Sequence, residues 1–410
     1  MSQSATATTM TALTAADTFF LEAMKPAFRE DPYPFYERFR GTAPLLRVAD
    51  TIWFALGHAE VAAMLRHPLL STDEQQHATT EAAKPPDPGR VRSLLFMDPP
   101  DHTRLRGLVA RAFTPRRIED LRAATEGISA ELIGAMVAKG GTVDLIEAFA
   151  YPLPVRVICA LLGVPARDEA IFTEWSRGIA RSVDPSVLRS PEVEAAIAEA
   201  RRGLQGYIGE LLDERRRTPG DDLLSALAAV DVDGDSITAR EIVPLAQLLL
   251  VAGHETTVNL IGNGTLALLR APAQLALLRQ RPELVGPAVD ELLRFDGPVQ
   301  ITQRVAMENI DLFGHRVRKG DEIMLILGAA NRDPAAFAEP HRLDVARDAR
   351  KHVAFGGGIH HCLGAALARL EGVIAFKALI DAFPSLELAA PPTRRPTFTL
   401  RGLETLPVEL

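Results

Sequence analysis

Apolar residues recur three and four positions apart through most of the stretch from Asp101 to Leu278, the spacing that lines them up on one face of an α-helix. Breaks come near Pro165, between Asp184 and Pro191, and between Thr218 and Asp222, where Pro, Gly, Ser and Asp gather as they do in loops. The pattern before this stretch is different. A helix follows Asp31, Leu45 to Val48 and Thr51 to Ala55 alternate as short strands, and Ala59 to Arg66 return to helical spacing. Strand-like runs come back at Ile310 to Leu327 and at the C-terminal end. The pattern predicts a mainly α protein with small β-sheets.

Between Ser71 and Arg90 the chain turns polar and Pro-rich around Lys84 to Pro88, a long loop of the kind a compact domain keeps for a purpose such as covering a substrate. Residues 1–15 are Ser/Thr/Ala-rich and are expected to be loosely ordered. No repeat or linker divides the rest of the chain, so residues 16–410 are expected to form a single domain.

One segment stands apart. Thr238 and Glu241 form a capping box, and helical character then runs to about Arg270 before Pro272. At about 1.5 Å per residue these ~32 residues span roughly 48 Å, the width of a whole globule of this size. Leu245, Leu248, Leu249, Leu250, Val251, Leu260, Ile261 and Leu266 put apolar groups on every face, which predicts a helix through the interior.

Composition narrows the class of protein. Of 410 residues 47% are hydrophobic and 24% charged, and the net charge is −8, so bulk charge draws the chain neither to nucleic acid nor to an anionic membrane. The start lacks the basic and apolar parts of a secretory signal, and Pro244 and Gln247 interrupt the most apolar segment short of a membrane span. Two cysteines in unlike surroundings, Cys159 and Cys362, make no disulfide framework. A cytoplasmic protein is expected.

The sharpest chemical signal is Phe355-Gly356-Gly357-Gly358-Ile359-His360-His361-Cys362-Leu363-Gly364, followed at once by a helical run from Ala365 to Phe383. Such a loop delivers one thiol to a helix N-terminus, where backbone N–H groups and the helix dipole favour thiolate, and its glycines let a flat ligand approach the main chain. An iron-ligating cysteine needs these conditions. Cys159, among Val157, Ile158, Ala160, Leu161 and Leu162, reads as a core residue.

The string resembles the haem-binding signature Phe-x-x-Gly-x-His-x-Cys-x-Gly of the cytochrome P450 family at every fixed position. Other matches extend the resemblance over most of the chain, which implies a P450-like fold with the long central helix crossing haem b and Cys362 as the iron ligand, with Phe355, Gly356 and Gly364 shaping its loop. Glu291 and Arg294 resemble the family's Glu-x-x-Arg pair, and Arg342, in Pro340-His341-Arg342-Leu343, resembles the arginine that completes a structural ion-pair triad. Asp98 to Arg106 resembles the segment whose histidine and second arginine reach the haem propionates, so His102 and Arg106 carry over, as do Arg304 and His360.

On the central helix, Ala252-Gly253-His254-Glu255-Thr256-Thr257 resembles the family's oxygen-activating sequence. A Thr hydroxyl bonded back to the carbonyl of Ala252 bends the helix and opens a notch beside the small Gly253. The resemblance implies Glu255 as a proton relay from solvent and Thr256 as the hydroxyl that steadies reduced oxygen until a second proton arrives. The family layout places Leu94, Leu95, Phe96, Leu248, Val251, Ala252, Val299, Gln300, Ile301, Phe398 and Thr399 around the substrate.

Other motifs fail on their spacing. His254-Glu255 starts a zinc-protease motif, but Val258 stands where the second histidine belongs; Gly262-x-Gly264-x-x-Ala267 lies inside a helix with no preceding strand; and Asp231, Asp233 and Asp235 lack the Gly and Glu of a calcium loop, having Ser236 and Ile242 in those places. The implied activity is monooxygenation of a medium-sized lipophilic molecule, such as a polyketide, terpenoid, steroid or fatty acid of secondary metabolism, by hydroxylation or epoxidation with O2. Electrons are expected from a ferredoxin-type carrier and its NAD(P)H-dependent reductase, docking on a monomer at a patch of Arg104, Arg111, Arg116, Arg117, Arg350, Lys351 and Arg369. No nucleic-acid or membrane partner is expected. A peroxide-driven peroxygenase and a non-catalytic haem sensor are the rival readings, and the Glu255–Thr256 pair weighs against both.

Overall fold

The computed structural model describes residues 19, 21–23, 25–40, 43–76, 93–183, 189–232 and 234–410. The N-terminal tail, most of the Pro-rich loop, part of the Asp184 to Pro191 loop and Asp233 lie outside them. The molecule is mostly helical. Helices Asp101–Ala112, Pro115–Lys139, Pro152–Leu162, Glu169–Ala180 and Pro191–Arg217 precede the central helix Ala239–Leu269, and Val285–Asp296 and Ala365–Ala382 come after it.

The capping box forms as expected: the Thr238 N–H and hydroxyl donate to the Glu241 carboxylate at 2.9 and 2.7 Å. Residues 257–268 are buried without a break. The first half differs from the expectation of burial on every face, because Leu248, Ala252 and Thr256, four apart on one stripe, all keep accessible surface. Close packing around the buried half relies on glycine, since a Cβ on Gly264 would lie 2.5 Å from the Phe376 ring of helix Ala365–Ala382.

Strands from residues 46–71 and from residues 301–326 form one five-stranded sheet, ordered Leu46–Arg47, Ile52–Ala55, Glu322–Ile326, Ile301–Ala306, Leu70–Ser71. Glu322–Ile326 runs parallel to Ile52–Ala55, with Ile323 opposite Trp53, and antiparallel to Ile301–Ala306. Ile301–Ala306 is a strand that apolar alternation did not reveal, because Thr302, Gln303 and Arg304 interrupt it. Asp231–Val232 and Asp235–Ser236 pair as a small hairpin. Cys159 is buried in the main core, where burial pushes its thiol up to about 12.

Candidate functional site

The loop carrying Cys362 is held open by its backbone. Gly356 and Gly358 take φ of 68° and 64°, a left-handed region that L side chains seldom adopt, and a Cβ on Gly358 would lie 2.6 Å from the Leu65 carbonyl. The Cys362 N–H donates to the Phe355 carbonyl at 3.0 Å. Cys362 as a whole keeps accessible surface, though its sulfur is largely surrounded by protein, and it stands just before the helix whose N-cap is Gly364. Burial of its sulfur pushes the thiol up, against the pull of the Gly364 N–H, Arg106 and Arg369, and the net direction is upward. A cation bound at the sulfur would favour the thiolate outright.

Beside the loop stand the four side chains expected to hold propionates. The rings of His102 and His360 lie 4.3 Å apart, and Arg106 donates to the His361 carbonyl at 2.6 Å. Burial, followed by the charges of His102, Arg304 and Arg106, pushes His360 down to about 3. Burial pushes Arg304 down to about 10, opposed by Asp98. His102 is 2% exposed, yet neither ring nitrogen has a hydrogen-bond partner. Buried donors without acceptors are costly. Two carboxylates at the edge of a flat macrocycle would satisfy this set, so the residues fit haem.

A buried ion-pair cluster braces the loop. Arg294 and Glu291 are fully buried and joined by two hydrogen bonds, at 2.6 and 2.8 Å, and Arg294 also donates to the carbonyls of Asn331 and Pro340 at 2.9 Å. Asn331 in turn accepts from the Val353 N–H at 2.8 Å, just before the Cys362 loop. Arg342 is a correction. Its side chain is 55% exposed and pairs with Glu339 and Asp344, leaving only its carbonyl near Arg294. Arg347 completes the triad, with Nε 3.2 Å from Glu291 Oε1. The segment's turns decide which arginine faces inward. Asp290, also missed, receives both Arg369 and His352 at 2.8 and 3.2 Å, and Arg369 lies over the Phe355 ring.

On the central helix the Thr256 hydroxyl donates to the Ala252 carbonyl at 2.8 Å, the bond expected there, and Thr257 donates to that of Gly253 at 3.1 Å. Glu255 is 2% exposed and paired with Arg395 at 2.6 Å. Burial opposes its ionisation, but His254 when its ring is protonated, together with Arg395, outweighs burial and holds the carboxyl below the usual carboxylate range. Nothing in the sequence around Arg395 signals this partnership across 140 positions.

The expected substrate positions divide. Leu248, Val251, Val299, Phe96 and Thr399 are half-buried, while Ala252 and Leu95 are exposed. Leu94 packs in the main core instead. Gln300, Ile301 and Phe398 are also corrections: Ile301 and Phe398 join an aromatic cluster with Phe28 and Tyr36, and Gln300 is turned into the interior, donating to the Gly297 carbonyl at 2.8 Å. Packing against the N-terminal helices holds these side chains inward: Ile301 and Phe398 lie among Phe28, Phe35 and Tyr36, and the Tyr36 hydroxyl donates to Gln300 at 3.4 Å. Of the expected docking cations, Arg104 pairs with Asp235 and Glu241, Arg117 with Asp221, Arg350 with Asp348 and Arg369 with Asp290. Arg111, Arg116 and Lys351 enter no ion pair among the described residues.

Residues 56–406 match the family model for cytochrome P450. The chain is a cytochrome P450. It is 43% identical over 400 residues to cytochrome P450 monooxygenase PikC of Streptomyces venezuelae, covering 95% of this chain and 93% of that one. It is 42% identical over 413 residues to vitamin D(3) 25-hydroxylase of Pseudonocardia autotrophica, covering 97% and 98%. Ligand-free CYP164A2 of Mycobacterium smegmatis has the same fold, with a TM-score of 0.89 at 41% identity over 96% of this chain and 100% of that one. As a P450 it binds haem b through a cysteine thiolate and is a haem-thiolate monooxygenase that takes electrons from redox partners and acts with O2 on a lipophilic substrate. Among the described residues, no helix is long and apolar enough to cross a membrane.

Proposed function

We propose that Cys362 is the thiolate ligand of haem b, that His102, Arg106, Arg304 and His360 bind its propionates, and that Glu255 and Thr256 deliver protons. The observation that carries this reading is His102, buried beside His360 with both ring nitrogens unsatisfied. When bound, the haem supplies dioxygen activation: two electrons and two protons are consumed, one oxygen atom enters the substrate and the other leaves as water. The chain supplies the rest. Charge-assisted bonds orient the ring edge, the open stripe of Leu248, Ala252 and Thr256 faces the space for substrate, and the Thr256 hydroxyl positions a proton. In the reduced protein with carbon monoxide, the thiolate-type Soret band is expected, and Cys362→Ser is expected to lose it while staying folded; a band unchanged by that substitution excludes Cys362 as the ligand.

The substrate is a medium-sized lipophilic molecule of the polyketide, terpenoid, steroid or fatty-acid kind. The half-buried apolar positions support this, as do relatives named as hydroxylases of vitamin D(3) and of 6-deoxyerythronolide B. Residues 16–410 act as one catalytic unit, a cytoplasmic monomer served by a ferredoxin-type donor and its NAD(P)H-dependent reductase. Arg111, Arg116 and Lys351 are the cations left to meet an acidic carrier. Charge reversal at Arg111 and Arg116 is expected to slow ferredoxin-supported turnover and flatten its salt dependence.

A further inference from the structure

His254 is a fully buried side chain to which proton delivery by Glu255 and Thr256 assigns no task. Its Nδ1 lies 2.7 Å from the Leu250 carbonyl, so Nδ1 carries the hydrogen, and in the neutral ring Nε2 is left as an acceptor. Ser176, 1% exposed, meets that need with its hydroxyl 2.6 Å from Nε2. Ser176 belongs to helix Glu169–Ala180, which packs against the central helix. The same helix holds a second ring beside His254. Tyr151 stands edge-on to His254 at 5.8 Å, donates to the Thr173 carbonyl at 3.3 Å, and lies 4.2 Å beneath the Arg177 guanidinium.

The turn of the central helix under this grip carries three side-chain hydrogen bonds on its carbonyls. The carbonyls of Leu250, Ala252 and Gly253 accept side-chain hydrogen bonds from His254, Thr256 and Thr257, bonds that compete with the backbone ladder. Three groups face Glu255 here. Arg395, from the C-terminal hairpin, holds Oε2; His254 Nε2 stands 3.5 Å from Oε1; and Tyr151 is close enough that the Glu255 charge, after burial, raises its phenol. Glu255 Oε1 itself has no hydrogen-bond partner.

We propose that His254 is a positioning residue whose Nε2 is occupied by Ser176, so that it does not capture Oε1 of Glu255, and that helix Glu169–Ala180 thereby controls whether the relay carboxylate is free to act. With the Ser176 hydroxyl in place, the Nε2 lone pair is engaged and Oε1 remains open to a water or a proton. With the hydroxyl withdrawn, Nε2 takes a proton from solvent water, the ring becomes an imidazolium that keeps its Nδ1 bond to Leu250, and the new Nε2–H donates to Oε1, so that the carboxylate is held between His254 and Arg395. This rests on the reading of Glu255 as the proton relay.

The test compares Ser176→Ala, Ser176→Thr, Ser176→Ala with His254→Leu, and Glu255→Gln, each checked for haem content and the carbon monoxide band. Ser176→Ala is expected to lower product per electron pair by about 3- to 10-fold, short of the roughly 100-fold that outright loss of acid–base help costs. Ser176→Thr is expected to restore it, and the alanine change is expected to add nothing in the His254→Leu background. Nitrogen NMR of the imidazole supplies a readout apart from turnover: Nε2 bears no hydrogen in the wild type and gains one in Ser176→Ala. Wild-type coupling in Ser176→Ala while Glu255→Gln is uncoupled overturns the strap, as does a hydrogen found on Nε2 in the wild type whether or not the variants fold. Wild-type coupling in Glu255→Gln overturns the relay reading instead.

Discussion

Arg395 Nη1 lies 2.6 Å from Glu255 Oε2 and ties the C-terminal hairpin to the middle of the central helix. Arg395 also donates to the Leu403 carbonyl at 3.1 Å and stands 3.8 Å from Glu404, whose side chain is 64% exposed. One guanidinium therefore bridges a buried carboxylate and an exposed one.

Removing Arg395 leaves Glu255 buried without its charged partner. Arg395→Ala is expected to cost about 3 kcal/mol, the low end for breaking a buried pair, because the arginine keeps some contact with water. The direction of the pH dependence is set by the sign of the shift. A carboxyl held below its unfolded pKa stabilises the fold above that unfolded value, and the contribution disappears as pH falls through the folded one. In the variant burial meets less opposition and the carboxyl titrates higher than in the wild type, so the gap in Tm between wild type and Arg395→Ala should widen as pH rises through the carboxylate range. A gap of constant size across that range would show that Arg395 acts through packing alone.

Thr256→Ala removes the hydroxyl bonded to the Ala252 carbonyl without touching the loop of Cys362. Haem content and the carbon monoxide band are expected to be unchanged, while electrons are diverted from product to peroxide. The check is peroxide and product measured per NADPH consumed. Unchanged coupling removes Thr256 from proton delivery.

Arg347 and Arg342 should separate cleanly. Arg347→Ala strips a partner from the fully buried Glu291 and is expected to destabilise by roughly 3 kcal/mol and to reduce haem retention. Arg342→Ala breaks only exposed pairs and is expected to fall within about 0.5 kcal/mol of wild type. Thermal melts and haem-to-protein ratios decide the order; the reverse order would return the triad to Arg342.

Glu371, on the helix just after Cys362, is 2% exposed, and its Oε2 has no hydrogen-bond partner. Burial holds its carboxyl well above the usual range. Such a group keeps its proton in the fold after the unfolded chain has released it, so stability falls as pH rises above the unfolded value, by about 1.4 kcal/mol per unit. Glu371→Gln is expected to remove that slope and to gain on wild type between about pH 5 and about pH 7. Equal gains at both ends would mean that Glu371 is ionised in the fold.

The sequence by itself determined what depends on neighbours in the chain. The periodicity and the Thr238–Glu241 box placed the central helix, the Cys362 string set a single cysteine in a glycine-rich loop before a helix, and the spacing of His102 and Arg106 put both on one helix face. Such features are written within a few turns, where backbone geometry is nearly fixed. Tertiary structure decided everything that depends on which way a side chain turns once distant segments meet. It chose Arg347 over Arg342, turned Gln300, Ile301 and Phe398 into the interior, neutralised most of the expected cation patch, and brought Arg395 to Glu255 and Ser176 to His254. Before folding, one arginine or serine looks like another; burial removes water as a partner, and the few acceptors within reach then select among them.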